Sequence, residues 1–194
     1  DRRQRQMCIR DRVKQMIQLN KKARERRKQD VFLVEGLRMF REVPRERLVK
    51  TYVSESFLEK PEHEKCLQGY RYEVVSDAVF REISDTQTPQ GILAIVRMPK
   101  YDLPDLLQGD HTHLLILESV QDPGNLGTMV RTGEGAGITG IIMNKTTVDL
   151  FNPKTIRSTM GSIYRVPYLI TEHLPDLLDE LHKENIRLLS LIHI

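Results

Sequence analysis

The sequence has no tryptophan and only two cysteines, Cys8 and Cys66, among its 194 residues. Two cysteines far apart, without a signal-peptide pattern, favour a reducing compartment over a disulfide framework, so we expect a cytoplasmic protein. No apolar run approaches the roughly 18 residues that cross a bilayer, which argues against a membrane-spanning helix. The sequence also lacks a nucleophile elbow and a Gly-rich phosphate loop, so neither an α/β-hydrolase nor a P-loop nucleotidase is expected.

The net charge of +3 hides a strong asymmetry along the chain. Residues 1–50 hold 17 Lys+Arg against 7 Asp+Glu, whereas the remaining 144 residues hold 13 against 20. Such a split favours a basic region that binds a polyanion. The densest segment has six basic residues and one acidic residue, and its candidate RNA-binding residues are Lys21, Lys22, Arg24, Arg26, Arg27 and Lys28. The alternative is a solvated helix face without a partner.

The most informative segment begins with the apolar run Leu114–Leu117, which has no alternation and is typical of a parallel strand covered on both faces. The turn Asp122-Pro123-Gly124 follows, and we predict that Asn125 is the N-cap of the next helix. The first-turn amides would then point to the edge where open α/β sheets bind ligands. Arg131 lies six residues further on, about 9 Å along a helix, and its side chain leans back toward the same edge.

The pattern Asp122-Pro123-x-Asn125-x-Gly127-x-x-x-Arg131, between that strand and a predicted strand 138–143, resembles the first signature motif of the SpoU/TrmH family of RNA ribose 2′-O-methyltransferases. The resemblance implies an α/β fold in which a small N-terminal α/β RNA-binding domain precedes a SPOUT-type parallel-sheet domain with a trefoil knot. The segments NKKARERRKQDVFLVEG, YVSES and EVVSDAVFREISDTQTPQGILAIV are similar to the family's N-terminal domain. We therefore expect an RNA substrate-binding domain over 13–99, a linker over 100–113 and a methyltransferase domain over 114–194.

Periodicity supports this order of elements. In the first half we predict strands over 31–34, 49–53, 71–75 and 92–96, and helices over 37–43 and 77–83. In the second half we predict a helix over 152–162 with Asn152 at the cap, a strand over 164–170, a helix over 174–183 and a strand from 186. Strands alternating with helices predict a parallel sheet with right-handed crossovers.

The chain also departs from the family. Gly133 and Gly135 fall inside the motif helix, where each costs about 1 kcal/mol relative to alanine. The family's later Asn-Glu-Gly loop and Ser-Leu-Asn-Val unit, which hold the cofactor and form the knot, are not found in the sequence, so we expect a methyltransferase domain without its knot-forming C-terminal segment. Residues 5–12 and 189–194 resemble translated adapter sequence at the edges of an assembled fragment, and they carry no weight in the fold prediction.

The resemblance implies methyl transfer from S-adenosylmethionine to a ribose 2′-hydroxyl of structured RNA, with ribosomal RNA expected before transfer RNA. Arg131 and Asn125 are the candidate catalytic residues. A guanidinium rarely releases its proton, so we expect a charged Arg131 that orients the ribose and stabilises charge on the oxygen rather than a general base. A homodimer is implied for the full-length form, whereas this chain alone is expected to be inactive and to bind the cofactor poorly. The competing hypothesis is an RNA- or ribosome-binding module without catalysis.

Two further patterns are typical of other functions, a dinucleotide site and a metal site, and the context of each argues against that function. The run Gly135-Ala136-Gly137-Ile138-Thr139-Gly140 matches a dinucleotide fingerprint, but it precedes a strand instead of joining a strand to a helix. His111 and His113 stand beside Asp110 in a polar segment without a second cluster at ligand spacing, so no metal site is predicted.

Overall fold

Two β-sheets organise the chain, which a computed structural model describes over residues 2–109 and 111–190. The elements of the first half are α1 (Arg2–Lys21), α2 (Ala23–Gln29), β1 (Val31–Glu35), α3 (Leu37–Arg41), β2 (Leu48–Ser54), α4 (Glu55–Leu58), α5 (Pro61–Cys66), β3 (Glu73–Val75), α6 (Asp77–Ile83) and β4 (Ile92–Arg97). The elements of the second half are α7 (Leu103–Leu106), β5 (Leu114–Leu117), α8 (Pro123–Gly135), β6 (Gly140–Asn144), α9 (Pro153–Thr159), β7 (Tyr168–Thr171) and α10 (Leu174–Lys183).

The first sheet has the strand order β1-β4-β2-β3, in which β4 is antiparallel to both neighbours and β2 is parallel to β3. The predicted strands over 31–34, 49–53 and 92–96 are confirmed to within one residue at each end. The strand predicted over 71–75 is shorter, since only Glu73–Val75 pairs with β2. On one face of this sheet, α1 and α6 bury a cluster that includes Met16, Leu19 and Phe80.

The second sheet has the order β5-β6-β7 with all strands parallel, which confirms the predicted parallel sheet. β6 starts two residues later than predicted, because α8 ends in a turn at Gly137 (φ 77°) in which the Ile138 amide still donates to Gly133. β7 is also shorter than predicted, because a 3-10 turn over Ser162–Tyr164 replaces its start. The final predicted strand is wrong over residues 186–190, which have no regular structure, and residue 191 lies outside the described residues.

The bounds of α10 match the predicted helix over 174–183. Leu174, Leu177 and Leu181 recur at the spacing of one helix face and pack against Ile142 at the centre of the second sheet. The sequence pattern was sufficient here because the apolar stripe is narrow and the rest of the helix is charged.

The segment expected to be an interdomain linker contains α7, which begins with a capping box between Asp102 and Asp105. Leu106 is fully buried and lies against Gly140 at the start of β6. Because Tyr101, Leu103 and Leu107 pack into the same cluster, residues 101–107 belong to the core of the second half. The predicted linker over 100–113 therefore contains a short helix that packs into this core.

A continuous hydrophobic cluster joins the two sheets. The rings of Phe32 on β1 and Phe151 before α9 lie 4.8 Å apart between centroids. The Tyr164 hydroxyl donates to the Met39 carbonyl oxygen across 3.2 Å, and burial raises the pKa of this phenol. The halves thus share one core and are not independent. Within the described ranges, no helix has the length and hydropathy needed to cross a membrane.

Candidate functional site

The carboxyl ends of β5 and β6 meet in a polar network. The Asn144 side-chain oxygen at the end of β6 accepts from the Ser119 backbone amide at 2.9 Å. The Ser119 hydroxyl lies 2.6 Å from the Thr146 hydroxyl, and the Gln121 side chain donates to the Thr146 carbonyl oxygen at 2.8 Å. Ser119 takes a left-handed backbone conformation (φ 55°) to make this turn. These bonds fix the loop that leads from β5 into α8.

Asp122 caps the N-terminus of α8, with Pro123 in the first helical turn. Its carboxylate accepts from the Asn125 backbone amide at 2.7 Å, and this hydrogen bond, followed by the charge of Lys154, lowers the Asp122 pKa below its ordinary value. The prediction that Asn125 is the N-cap is therefore wrong. Asn125 lies in the first turn of the helix, where its side chain is exposed and its backbone amide donates to the Asp122 carboxylate.

Gly127 is the point of closest approach between α8 and α9. A Cβ atom built there would lie 2.5 Å from both the Cβ of Ser158 and the carbonyl oxygen of Thr155. Contacts this short do not occur, so only glycine permits the observed helix spacing. The motif glycine has a packing role that the sequence interpretation did not assign.

Arg131 lies in the third turn of α8 and its side chain is exposed. Six residues at 100° each place it about 120° around the helix from Asn125, so the two side chains are on different stripes of the helix surface. Arg131 lies within about 40° of Gly124 and Gly127 around the helix, so it borders the surface groove where α8 meets α9, which is closed at Gly127. Side chains on a helix lean toward its N-terminus, so Arg131 is on the side of this groove that leads to Gly124.

The opposite wall of that groove is α9. The Asn152 side chain accepts from the Lys154 amide at 2.9 Å, which confirms the predicted cap, with Pro153 in the first helical turn. Lys154 is exposed and its ammonium lies 3.7 Å from Asp122. The Ser158 hydroxyl donates to the Lys154 carbonyl oxygen one turn below. The groove therefore offers Arg131 from one helix and a lysine from the other.

The basic segment that was predicted to bind RNA divides into two kinds of residue. Lys21, Lys22, Arg24, Arg27 and Lys28 are exposed at the end of α1 and on α2. Arg26 is 2% exposed and does not belong to this surface.

The buried Arg26 guanidinium connects the two halves of the chain. Its Nη2 lies 2.5 Å from Oδ2 of Asp149, while Nη1 donates to the carbonyl oxygens of Leu19 and Asn20. Asp149 precedes α9, and its backbone carbonyl accepts from the Asn152 amide. The inclusion of Arg26 among the RNA-binding residues is corrected by this geometry, since its donors are already used to hold the turn before α9.

A second ion-pair cluster was not predicted. Arg165 binds Glu134 at the end of α8 and Glu42 after α3, the latter at 2.7 Å between Nη1 and Oε2. The hydrogen bond from Arg165 is the main cause of the lowered Glu134 pKa, and the Ser162 hydroxyl adds to it. Partners separated by 31 and 123 residues leave no local signal in the sequence.

Two remaining features concern a dinucleotide site and a metal site. The run Gly135-Ala136-Gly137-Ile138-Thr139-Gly140 connects the end of α8 to β6, which is the reverse of the strand-to-helix order of a dinucleotide site. Within the part of the chain that the structure describes, no group of three or more His, Cys, Asp or Glu side chains is arranged to hold a metal ion.

Comparison with known families matches both halves of the chain. Residues 10–94 match the MRM3-like substrate binding domain, and residues 112–193 match the SpoU rRNA methylase family. The second match contains the whole Asp122 to Arg131 motif.

Similar proteins support both matches. The 23S rRNA (guanosine(2553)-2′-O)-methyltransferase RlmP of Bacillus subtilis is 34% identical over 166 residues, which cover 84% of this chain and 63% of that protein. The mitochondrial rRNA methyltransferase 3 of Homo sapiens is 35% identical over 150 residues, covering 74% of this chain and 36% of that protein. The chain thus spans less than two thirds of the length of these relatives.

Solved structures share the fold. The AdoMet-bound rRNA methyltransferase from Sinorhizobium meliloti superposes with a TM-score of 0.69 at 28% identity, covering 88% of this chain and 64% of that one. The SpoU methyltransferase AviRb from Streptomyces viridochromogenes, in complex with AdoMet, superposes with a TM-score of 0.77 at 21% identity, covering 90% and 68%. With both family matches in chain order and the motif on the helix that follows β5, residues 112–193 of this chain form a domain of the SpoU rRNA methylase family.

Proposed function

We propose that this chain acts in the transfer of a methyl group from S-adenosylmethionine to a ribose 2′-hydroxyl of ribosomal RNA. The observation that carries the proposal is α8, which follows the carboxyl end of β5 within a SpoU-family domain and on which Asn125 and Arg131 are exposed. The named relatives methylate ribosomal RNA, and two similar structures contain AdoMet. These support ribosomal RNA as the substrate and S-adenosylmethionine as the methyl donor.

Arg131 is proposed to orient the acceptor nucleotide. A guanidinium stays protonated at physiological pH, so it binds a phosphate or ribose oxygen as a charged, bidentate donor. As the hydroxyl attacks, negative charge grows on its oxygen, and a fixed positive charge stabilises that charge more in the transition state than in the ground state.

Asn125 and Lys154 are proposed to hold the same nucleotide from the two sides of the groove. The Asn125 carboxamide is exposed in the first turn of α8 and has both a donor and an acceptor to offer. Lys154 supplies a second positive charge from α9, held near the groove by Asp122. Together they restrict the ribose to one approach, which is the main task in an in-line displacement.

The residues of α8 and α9 at this edge are proposed to contact the acceptor and not the methyl donor. Ser119, Gln121, Asn144 and Thr146 are hydrogen-bonded to one another. The buried side-chain atoms without a partner, among the residues described, are Nη1 of Arg47 and Oγ1 of Thr51, both in the first half of the chain. S-adenosylmethionine supplies an electrophilic methyl carbon on a sulfonium, and we assign the residues of this groove to the ribose alone.

The test is transfer of labelled methyl groups from S-adenosylmethionine to ribosomal RNA, followed by nuclease digestion and mass spectrometry of the nucleosides. In a protein of the relatives' length that contains this chain, we expect a 2′-O-methylnucleoside in the product, and loss of it in the Arg131→Ala and Arg131→Lys variants. Full single-turnover activity in Arg131→Lys would contradict the bidentate role. RNA binding without any methyl transfer would favour the hypothesis of a non-catalytic binding module. Methylation of transfer RNA alone would identify transfer RNA, and not ribosomal RNA, as the substrate.

We also propose that the active form is a cytoplasmic homodimer, as the family resemblance implies. Met129, on the exposed side of α8, is 38% exposed and offers an apolar contact beside Asn125. Analytical ultracentrifugation of the wild type and of Met129→Asp tests the dimer, because a buried carboxylate at the seam would shift the protein toward monomer.

A further inference from the structure

A large groove opens on the first sheet, on the same face that α1 covers. Its volume is about 850 Å³, and it is bounded by α1, by the end of α2 and by the ends of three strands. The pairings Val31 with Arg97 and Lys50 with Ile95 place these side chains on one face of the sheet, since paired residues point to the same side. The groove is therefore built by the strand register.

The rim of the groove is basic and its floor is apolar. Lys50, Arg97 and Lys100 line it with Arg12, whereas Asp30 is the acidic residue of the lining. Val31 and Ile95 form part of the floor. An apolar floor under a rim of positive charge fits a polyanion whose ribose and base surfaces are less polar than its phosphates.

The basic side chains of the rim differ in their ion pairs. Lys50 is bound to Glu73, at 2.9 Å, and Lys100 to Asp30, at 2.7 Å. Arg97 is exposed, and no ion pair to it is found among the described residues. Exposed ion pairs contribute little to stability, so Lys100 can exchange its carboxylate for a phosphate at small cost.

The groove continues the exposed basic surface of α2. Gln29, the last residue of α2, lines the groove and is held by the Gln15 side chain of α1 at 2.6 Å. Arg27 and Lys28 immediately precede it and are exposed. The exposed bases of α2 and the rim of the groove therefore form one positive strip.

We infer that this groove binds the phosphodiester backbone of the RNA substrate, as an extension of the contact made by α2. The inference rests on the proposed function, because it takes RNA as the ligand. It adds Arg97 and Lys100, which lie outside the basic segment of the sequence, to the RNA-binding surface. It also assigns Asp30 as a residue that weakens binding, since its carboxylate faces the phosphates.

Two variants with opposite expected effects test the inference. The first is Arg97→Gln with Lys100→Gln, which removes two positive charges. The second is Asp30→Asn, which removes the carboxylate, and asparagine accepts the left-handed conformation of this residue (φ 52°). The matched control is Lys60→Gln with Lys65→Gln, which changes the net charge equally on the exposed surface at α5.

Binding of a fluorescein-labelled stem-loop RNA is followed by anisotropy over a series of KCl concentrations. Each phosphate contact contributes roughly 0.7–0.9 to the slope of log K against log salt. The double groove variant should therefore lower the slope by roughly 1.4–1.8 and weaken binding roughly 25- to 60-fold near 0.1 M salt. Asp30→Asn should tighten binding, roughly 5- to 8-fold if one further contact forms, and the control should change little.

Equal affinity and slope in the groove variants and the wild type would overturn the inference while leaving RNA binding by α2 intact. If the wild type itself does not bind RNA, the proposed function and the groove both fail. Displacement of the RNA by polyglutamate as efficiently as by unlabelled RNA would assign the groove to an acidic polypeptide and overturn the inference. Circular dichroism melting of each variant shows that any loss is not caused by unfolding.

Discussion

Three glycines of α8 have different surroundings, and replacing each by alanine tests how closely this helix packs. A Cβ at Gly127 would meet the α9 backbone at 2.5 Å, whereas a Cβ at Gly133 would meet side chains, the flexible end of Ile138 at 2.5 Å and Leu115 at 3.5 Å. A Cβ at Gly135 would have no atom within 4 Å. None of the three has a positive φ, so alanine is compatible with the backbone at each position.

The expected changes in the free energy of unfolding follow from two opposing effects. Alanine favours a helix over glycine by about 1 kcal/mol, which should stabilise Gly135→Ala by up to that amount. Overpacking costs about 1–3 kcal/mol, and Gly127→Ala should be at the upper end because a backbone atom cannot rotate away. The net loss for Gly127→Ala is then about 2 kcal/mol, with Gly133→Ala between the two.

Urea unfolding followed by circular dichroism measures these differences. With a slope of about 2–3 kcal/mol per molar, the midpoints of Gly127→Ala and Gly135→Ala should differ by roughly 1 M or more. An increase of the midpoint in Gly127→Ala equal to that in Gly135→Ala would refute the close contact between α8 and α9. Methyl transfer by Gly127→Ala should also fall, since the groove beside Arg131 would widen.

Three further predictions concern contacts between residues far apart in the sequence. Arg26→Met leaves the Asp149 carboxylate unpaired and should cost about 3–5 kcal/mol in urea unfolding, whereas Arg26→Met with Asp149→Leu should recover most of that loss. Arg165 lowers the Glu134 pKa below 4.5, so the stability that the Arg165–Glu134 ion pair adds to the fold is complete above pH 4.5 and is lost as the pH falls through the lowered pKa. Glu134→Gln should therefore remove this part of the acid sensitivity of Tm. Gly161→Ala should lower Tm, because φ is 98° there and its Cβ would enter the Glu42 carboxylate, while a Tm equal to wild type would contradict that contact.

Local sequence patterns were sufficient to predict a helix or strand when the residues of that element alone determine its structure. β5 and α10 have the predicted bounds, because an unbroken apolar run and a narrow apolar stripe each admit one interpretation. The predicted start of α8 is three residues too late, because the prediction treats Asp122-Pro123-Gly124 as a separate turn. Proline is common in the first turn of a helix, and that preference alone would have indicated Asp122 as the cap.

Contacts between distant residues could not be predicted from the sequence. Arg26 has the same local context as the exposed Arg24 and Arg27, and only the fold places Asp149 against it. Leu106 stands in a polar segment, so its complete burial depends on the room left by Gly140. The motif indicated which helix forms the candidate site, while the groove on the first sheet arises from strand register and has no sequence signature.

The shared core has a consequence for how the protein is made on the ribosome. The hydroxyl of Tyr164 binds the carbonyl of Met39 across 125 residues of chain, and Phe32 packs on Phe151. The first sheet is complete at Arg97 and α9 ends at Thr159, so at roughly 5–20 residues per second the first sheet waits about 3–12 s before its second wall is complete. During that interval one apolar face of β1 and β4 is open to water, so the nascent chain exposes a surface prone to aggregation until α9 is complete.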